Sequence, residues 1–167
     1  MKQTDLAYIA GIIDGEGYVG IKKSKAYACQ GRQTPGYTAR IQVRMVDEPA
    51  IKFLAETLGG WYYKEKPHSA KGRPLYCYQA SDKVAEAILR TLLPFLRVKR
   101  VQAETVIALR DLKKESAKHR TKVTGTRRFP NRVGTVRTVK SMCFSDEFVA
   151  QLESLWLRCK QLNKTGV

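Results

Sequence analysis

Two carboxylates, Asp14 and Glu16, close the run IAGIIDGEG at positions 9–17, in a chain of 167 residues carrying 31 Lys and Arg against 15 Asp and Glu. Acids ending an apolar helix within so cationic a surface are suited to hold a hard divalent cation, because Mg²⁺ prefers oxygen ligands and keeps several waters. Such ions can activate water, polarise a phosphate and stabilise a leaving oxygen in an in-line displacement, so the chemistry implied is phosphodiester hydrolysis. Ala7, Gly11 and Gly15 recur every fourth residue, a small-residue stripe that lets two helix backbones approach closely. Close approach would bring one Glu16 from each helix to a shared spot, where two carboxylates repel unless cations sit between them.

The elements around this run must place it. Leu6, Ile9, Ile12 and Ile13 recur at helical spacing after a cap at Thr4 or Asp5, and Gly15 and Gly17 stop the helix near Glu16. From Tyr18 to Ala28 the pattern becomes alternation, followed by a turn at Gly31, Pro35 and Gly36 and a second alternating run, YTARIQVRMV. Asp47 and Pro49 open a helix bearing Ile51, Leu54, Ala55 and Leu58, closed by Gly59 and Gly60. A second strand pair, WYYKEK and PLYCYQA, is joined by a basic turn around Lys71, Gly72 and Arg73. Ser81 or Asp82 caps a helix running toward Pro94, another spans about Val101 to Lys114, and Ser145 caps a last one whose first turn is acidic and last turn basic. Between Ser116 and Ser145 there are eight Lys or Arg and no acid, which reads as a loop ordered by nucleic acid or flexible without it. The order α-ββ-α-ββ-α-α-loop-α predicts an α+β fold, helices on one face of an antiparallel sheet, in a single domain over 1–167 with a core of about 4–115, the basic loop at about 116–144 and the last helix at about 145–164.

A formal net charge of +16 spread among apolar and aromatic residues makes a polyanion the expected partner. The longest uncharged apolar stretch, Leu6 to Ile13, is far short of a bilayer span, so a soluble protein without membrane contact is expected. Cys29, Cys77, Cys143 and Cys159 have neither zinc spacing nor a CxxC pair, which fits thiols in a reducing intracellular setting, the cytoplasm of a prokaryote or an organelle matrix. His68 and His119 are isolated and carry no assigned role.

The segment YIAGIIDGEG, following a cap and preceding a strand, resembles the signature helix of the LAGLIDADG homing endonucleases, and the αββαββα order is similar to that family's core. LLPFLRVKRVQA at positions 92–103 resembles the segment in which single-motif members place a basic residue near the cleavage centre. With one motif copy, the resemblance implies a homodimer packed through Ala7, Ala10, Gly11, Asp14 and Gly15, and a site-specific, intron-encoded endonuclease cutting both strands of a long pseudo-palindromic DNA. It further implies Glu16 as catalytic carboxylate and, with Gly15, as ligand of Mg²⁺. Lys99 is implied as the cation offsetting charge on the phosphate, with Arg97 the fallback one register away. Asp14 is implied to be structural, accepting backbone N–H groups. Where relatives often carry a water-positioning Gln after the second strand, this chain has Met45, leaving Gln42, Arg44 or ordered water for that task. A non-cleaving binder on the same scaffold, an RNA maturase acting on its intron or a DNA-binding regulator, is the alternative.

On the sheet, alternation is expected to point Lys22, Ser24, Arg40, Gln42, Arg44, Lys64, Lys66, Arg73, Tyr76 and Tyr78 away from the helices and toward DNA, where Arg and Lys can read guanine and Gln adenine. A ten-residue strand spans about 33 Å, close to one duplex turn, so two symmetry-related sheets would cover roughly two turns. Arg127 and Arg128, in the basic loop, would grip phosphates with an affinity that falls steeply with salt. Of Trp61, Tyr62 and Tyr63, stacking on bases is open to some, with core or hairpin packing expected for two of the three, and Trp156 is expected in the core.

Overall fold

The computed structural model describes the backbone of residues 2–26, 34–66, 72–128 and 136–165, and side chains over 2–26, 34–66, 72–120 and 143–164. Element order is α1 (Gln3–Glu16), β1 (Gly17–Ser24), β2 (Gly36–Met45), α2 (Glu48–Leu58), β3 (Trp61–Glu65), β4 (Leu75–Ser81), α3 (Asp82–Leu92), α4 (Arg100–Lys114), a 3-10 turn (Glu115–His119), β5 (Arg120–Arg128), β6 (Val136–Phe144) and α5 (Asp146–Thr165). The first four strands form one antiparallel sheet in the order β1-β2-β4-β3, and β5 with β6 forms a separate two-stranded sheet.

One core lies between the helices and one face of the four-stranded sheet. Ile9 and Ile13 of α1, Leu54 of α2, Leu89 of α3, Leu109 of α4 and Phe148 of α5 meet Val19, Ile41 and Val43 there, all fully or almost fully buried. α5 crosses the outer edge of β1. Asn163 Nδ2 donates to the Val19 carbonyl at 3.0 Å, Lys23 pairs with Glu153 at 2.6 Å, and the Tyr37 hydroxyl donates to the other Glu153 oxygen. Trp156, half-buried against the core, lies under the ammonium groups of Lys23 and Lys160. The β1 edge is thereby covered against pairing with another strand.

Asp47 caps α2 as expected, accepting from the Ala50 N–H at 2.9 Å, and Gly59 and Gly60 follow it with φ of +74° and +93°, backbone that suits glycine. Ser145 caps α5 by accepting from the Phe148 N–H at 3.4 Å. α1 differs at its start: its N-cap is Lys2 without a side-chain bond, and Thr4 and Asp5 lie inside the first turn. The larger correction concerns the basic stretch, where Arg120–Arg128 and Val136–Phe144 pair as a hairpin, with Thr124 opposite Lys140 and Arg127 opposite Arg137. The β-branched residues of TKVTGT and VRTVKS, which suit a pleated ribbon, are the signal that the charge run outweighed. Cys29, Lys71 and His68 lie outside the described residues, whereas Cys77 and Cys159 are buried thiols and Cys143 is a half-buried one.

α1 passes into β1 with no intervening residue, and Gly17 makes that possible. A Cβ there would sit 2.5 Å from the Ile13 carbonyl oxygen and 2.8 Å from its Cα, both backbone atoms. Gly17→Ala is expected to lose about 2–3 kcal/mol of stability through forced backbone movement, read as a lowered urea midpoint at unchanged slope.

The outer side of α3 and α4 holds an ion-pair network. Glu86, almost buried, pairs with Lys114 at 2.7 Å, Arg90 at 3.1 Å and Arg110 at 3.3 Å, while Asp82 takes the other end of Arg110 at 3.1 Å. Lys114 foremost, then Arg90 and Arg110, hold the Glu86 carboxyl below its ordinary 4.5 against the opposing effect of burial. A depressed folded value means the contribution is fully present above the unfolded value and is lost as pH falls through the folded one. Urea midpoints are therefore expected to drop below about pH 4.5, and Glu86→Gln to flatten that drop while costing about 1–3 kcal/mol at neutral pH.

Candidate active site and nucleic-acid face

Glu16 is the last residue of α1, exposed, and has no ion-pair or hydrogen-bond partner among the described residues. In a chain with twice as many bases as acids, a carboxylate left unpaired at a helix end is open to a ligand. Gly15, also exposed, adds a carbonyl from the last turn, where intrahelical partners run out.

Asp14 faces the other way. Its carboxylate accepts from the backbone N–H groups of Arg97 at 2.8 Å, Val98 at 3.2 Å and Lys99 at 2.9 Å, closing the start of α4 onto the end of α1. The expected acceptor role is present, and the N–H groups belong to the same chain. The Lys99 ammonium donates to the Asp14 main-chain carbonyl, so this cation is fixed at the helix end that carries Glu16. Arg97 joins through its N–H, with its side chain exposed. Lys99 also lines a cavity of about 340 Å³ with Gly17, Tyr18, Val98 and Asn163, where α4 and α5 converge.

Among the described residues no group of three or more His, Cys, Asp or Glu side chains could hold a metal ion. One chain offers Glu16 and the Gly15 carbonyl, oxygen donors of the kind Mg²⁺ takes but fewer than it needs, so water, phosphate or a second chain must complete the set.

Of the residues expected at a helix partner, Ala7, Gly11 and Gly15 are exposed, and a Cβ added at Gly11 or Gly15 would meet nothing within 4 Å among the described residues. Ala10 is a correction: it is fully buried against the sheet, because it shares a face with Ile9 and Ile13.

The side of the sheet away from the helices carries Lys22, Ser24, Arg40, Gln42 and Arg44, as expected. Arg40 donates to Gln79, Arg44 pairs with Glu65 at 2.9 Å, and Ser24 donates to the Gly36 carbonyl at 3.4 Å. The Gln42 amide lies 3.0 Å from Cys77 Sγ, and with its oxygen on that side it also accepts from Arg44 at 3.0 and 3.2 Å. Met45 is half-buried against the core, in phase with Val43 and Ile41, and does not share this face.

Three expected members point to the helices instead. Register places Tyr76 opposite Met45 and Tyr78 opposite Val43, so both fall on the core side, as does Lys64 opposite Tyr76. Tyr78 is fully buried and donates to the Gly59 carbonyl at 2.8 Å, and burial raises its hydroxyl well above the ordinary tyrosine value. Leu75, Cys77, Gln79 and Ser81 take the outward positions of β4, and Trp61, Tyr63 and Glu65 those of β3. In LYCYQAS both phases are partly apolar, and tyrosine suits either, so alternation alone could not choose between them. Lys66 and Arg73 are exposed beyond the strand ends, and the side chains of Arg127 and Arg128 lie outside those described.

No protein-family model and no curated protein matches the sequence. Among solved structures, the chain is similar to the archaeal intron-encoded homing endonuclease I-Vdi141I complexed with DNA, at 14% identity over 97% of this chain and 86% of that one, TM-score 0.66. It is also similar to the homing endonuclease I-CvuI in complex with the I-CreI target, uncleaved in 2 mM Mg, at 15% identity over 96% and 82% of the two chains, TM-score 0.64. The I-SmaMI LAGLIDADG homing endonuclease bound to cleaved DNA aligns at 13% identity over 90% of this chain and 42% of that one, TM-score 0.59. At such identities the shared property is architecture, and the chain has the fold of the LAGLIDADG homing endonucleases.

Proposed function

We propose that the protein is a homodimeric, divalent-cation-dependent endonuclease that cuts both strands of a specific DNA site, encoded within an intron whose spread it promotes and acting inside the cell. The observation that carries this reading is the exposed, unpartnered Glu16 at the end of a helix whose small-residue stripe stands open, next to Lys99 and at the start of an outward-facing basic sheet. Two copies meeting along Ala7, Gly11 and Gly15 would bring two Glu16 carboxylates together over the scissile phosphates, with Asp14 left to lock α4 in place. Mg²⁺ held by Glu16, the Gly15 carbonyl and substrate oxygens would supply Lewis acidity and an activated water. Lys99, held by the Asp14 carbonyl, offsets charge growing on the phosphate in the transition state. Arg40, Gln42, Arg44 and Lys22 face the major groove, and the β5–β6 hairpin grips phosphates in a salt-dependent way. No helix among the described residues is long and apolar enough to cross a membrane.

The test is incubation of the purified protein with duplex DNA spanning the uninterrupted insertion site, in Mg²⁺ or in EDTA. A double-strand break formed only with Mg²⁺ is expected. Tight binding without a nick in either strand ends the enzyme reading, and a preference for folded intron RNA over the duplex moves the function to a maturase.

A further inference from the structure

Trp61, Tyr62 and Tyr63 are not packed in the core: they are 49%, 37% and 39% exposed along β3, an edge strand of the sheet. Trp61 and Tyr63 fall on the outward face, opposite Gln79 and Cys77, and neither ring has an aromatic partner among the described residues. Register carries a row across that face from Trp61 through Gln79 and Gln42 to Tyr18. The two end rings of that row differ. A Cβ on Gly20 would come within 2.3 Å of the Tyr18 hydroxyl, so the Tyr18 ring lies down along β1, while the Trp61 side chain is 49% exposed at the other edge of the sheet.

We propose that Trp61 with Tyr63 forms a stacking site for unpaired nucleobases, giving the protein a single-strand binding activity separate from duplex cleavage. It rests on the reading above only in taking this face for a nucleic-acid surface, and needs neither dimer nor cut. Inside an intact duplex the faces of the bases are covered by their neighbours, and a rigid sheet reaches only their edges. An aromatic ring held open on a cationic sheet therefore suits a base that has left the stack, the combination by which single strands are bound. Alternate residues of a strand are about 6.6 Å apart, roughly twice the 3.4 Å rise of one base, so the two rings can flank one base or receive two in succession. Lys66 and Arg73, exposed beyond the strand ends, and Arg44, which is shared with Glu65, stand nearby as cations for the phosphates, and the Gln79 amide, whose oxygen accepts from Arg40, keeps its NH2 to donate to a base edge. The shared chemistry is a stacked base on a phosphate strand, which ssDNA and ssRNA both offer.

The chain has two tryptophans, so Trp156→Phe leaves Trp61 as the only indole. That protein would be titrated with oligo(dT), oligo(U) and a duplex of equal length, at low salt without divalent cation. Quenching of Trp61 emission by the single strands is expected. Trp61→Ala, and separately Trp61→Leu, which keeps apolar bulk without the ring system, should weaken single-strand binding about tenfold and duplex binding less than about twofold. Tighter binding of oligo(U) would assign the site to RNA, tighter binding of oligo(dT) to DNA, and equal binding to base and phosphate alone. Unquenched emission at saturation, no measurable binding of either oligonucleotide, unchanged affinity in both Trp61 variants, or a parallel loss of duplex binding overturns the proposal. Failure of the duplex to be cut leaves this measurement untouched, so the two readings fail separately.

Discussion

The Glu16→Gln protein folds, dimerises and binds its duplex as the parent does, and leaves both strands intact: that is the expected result of the most decisive substitution. Glu16 is exposed at the end of α1 and has no bond to lose among the described residues, so thermal stability should move by less than about 0.5 kcal/mol. Removing its charge while keeping its shape withdraws the one carboxylate available to a cation at this helix end, since Asp14 is occupied by three N–H groups. A loss of at least about 10³-fold in single-turnover cleavage is expected, the size found when a group that meets charge in the transition state is removed. Duplex affinity in EDTA should hold or rise slightly, because a negative charge facing phosphates has gone. A variant that cuts at near the parental rate would show that the reaction is carried elsewhere.

Gly11→Leu tests the other half of the reading. Glycine within a helix costs about 0.5–1 kcal/mol relative to alanine, and nothing among the described residues requires it at position 11, where a Cβ would meet none of them within 4 Å. The cost is understandable if a second helix must come close. Leu at that position should leave the isolated chain as stable as before or slightly more so, and keep two backbones from approaching. Light scattering is then expected to give the mass of a single chain, with cleavage falling by at least about 100-fold as one carboxylate without its partner forms only half a site. Retention of the dimer would place the interface on another surface and separate Glu16 from its proposed companion.

These two residues could be singled out from sequence because their signals are local. The spacing of Ile9, Ile12 and Ile13 gives a helix, and the glycines give its end. The same holds for the Asp47 and Ser145 caps, each of which binds an N–H three residues on. Lys99 is different: its anchor on Asp14 spans 85 positions, and resemblance named the residue without supplying the contact that holds it at this helix end. The pairing of Arg120–Arg128 with Val136–Phe144 has its local signal in β-branched residues, set among charges that suit a solvated loop equally well.

The sequence by itself determined the order of helices and strands up to the end of α4, the basic character of the chain and the acidic end of the first helix, since periodicity, capping and charge act over a few residues. Only the tertiary structure decided which face β3 and β4 turn to the helices. Tyr76, Tyr78 and Lys64 went to the core side, and Trp61, Tyr63, Glu65 and Gln79 to the open side, because register is set by pairing with a distant strand and a one-residue change of phase exchanges every side chain. Amphipathic residues such as tyrosine pay little either way, so the choice rests with their neighbours across the sheet.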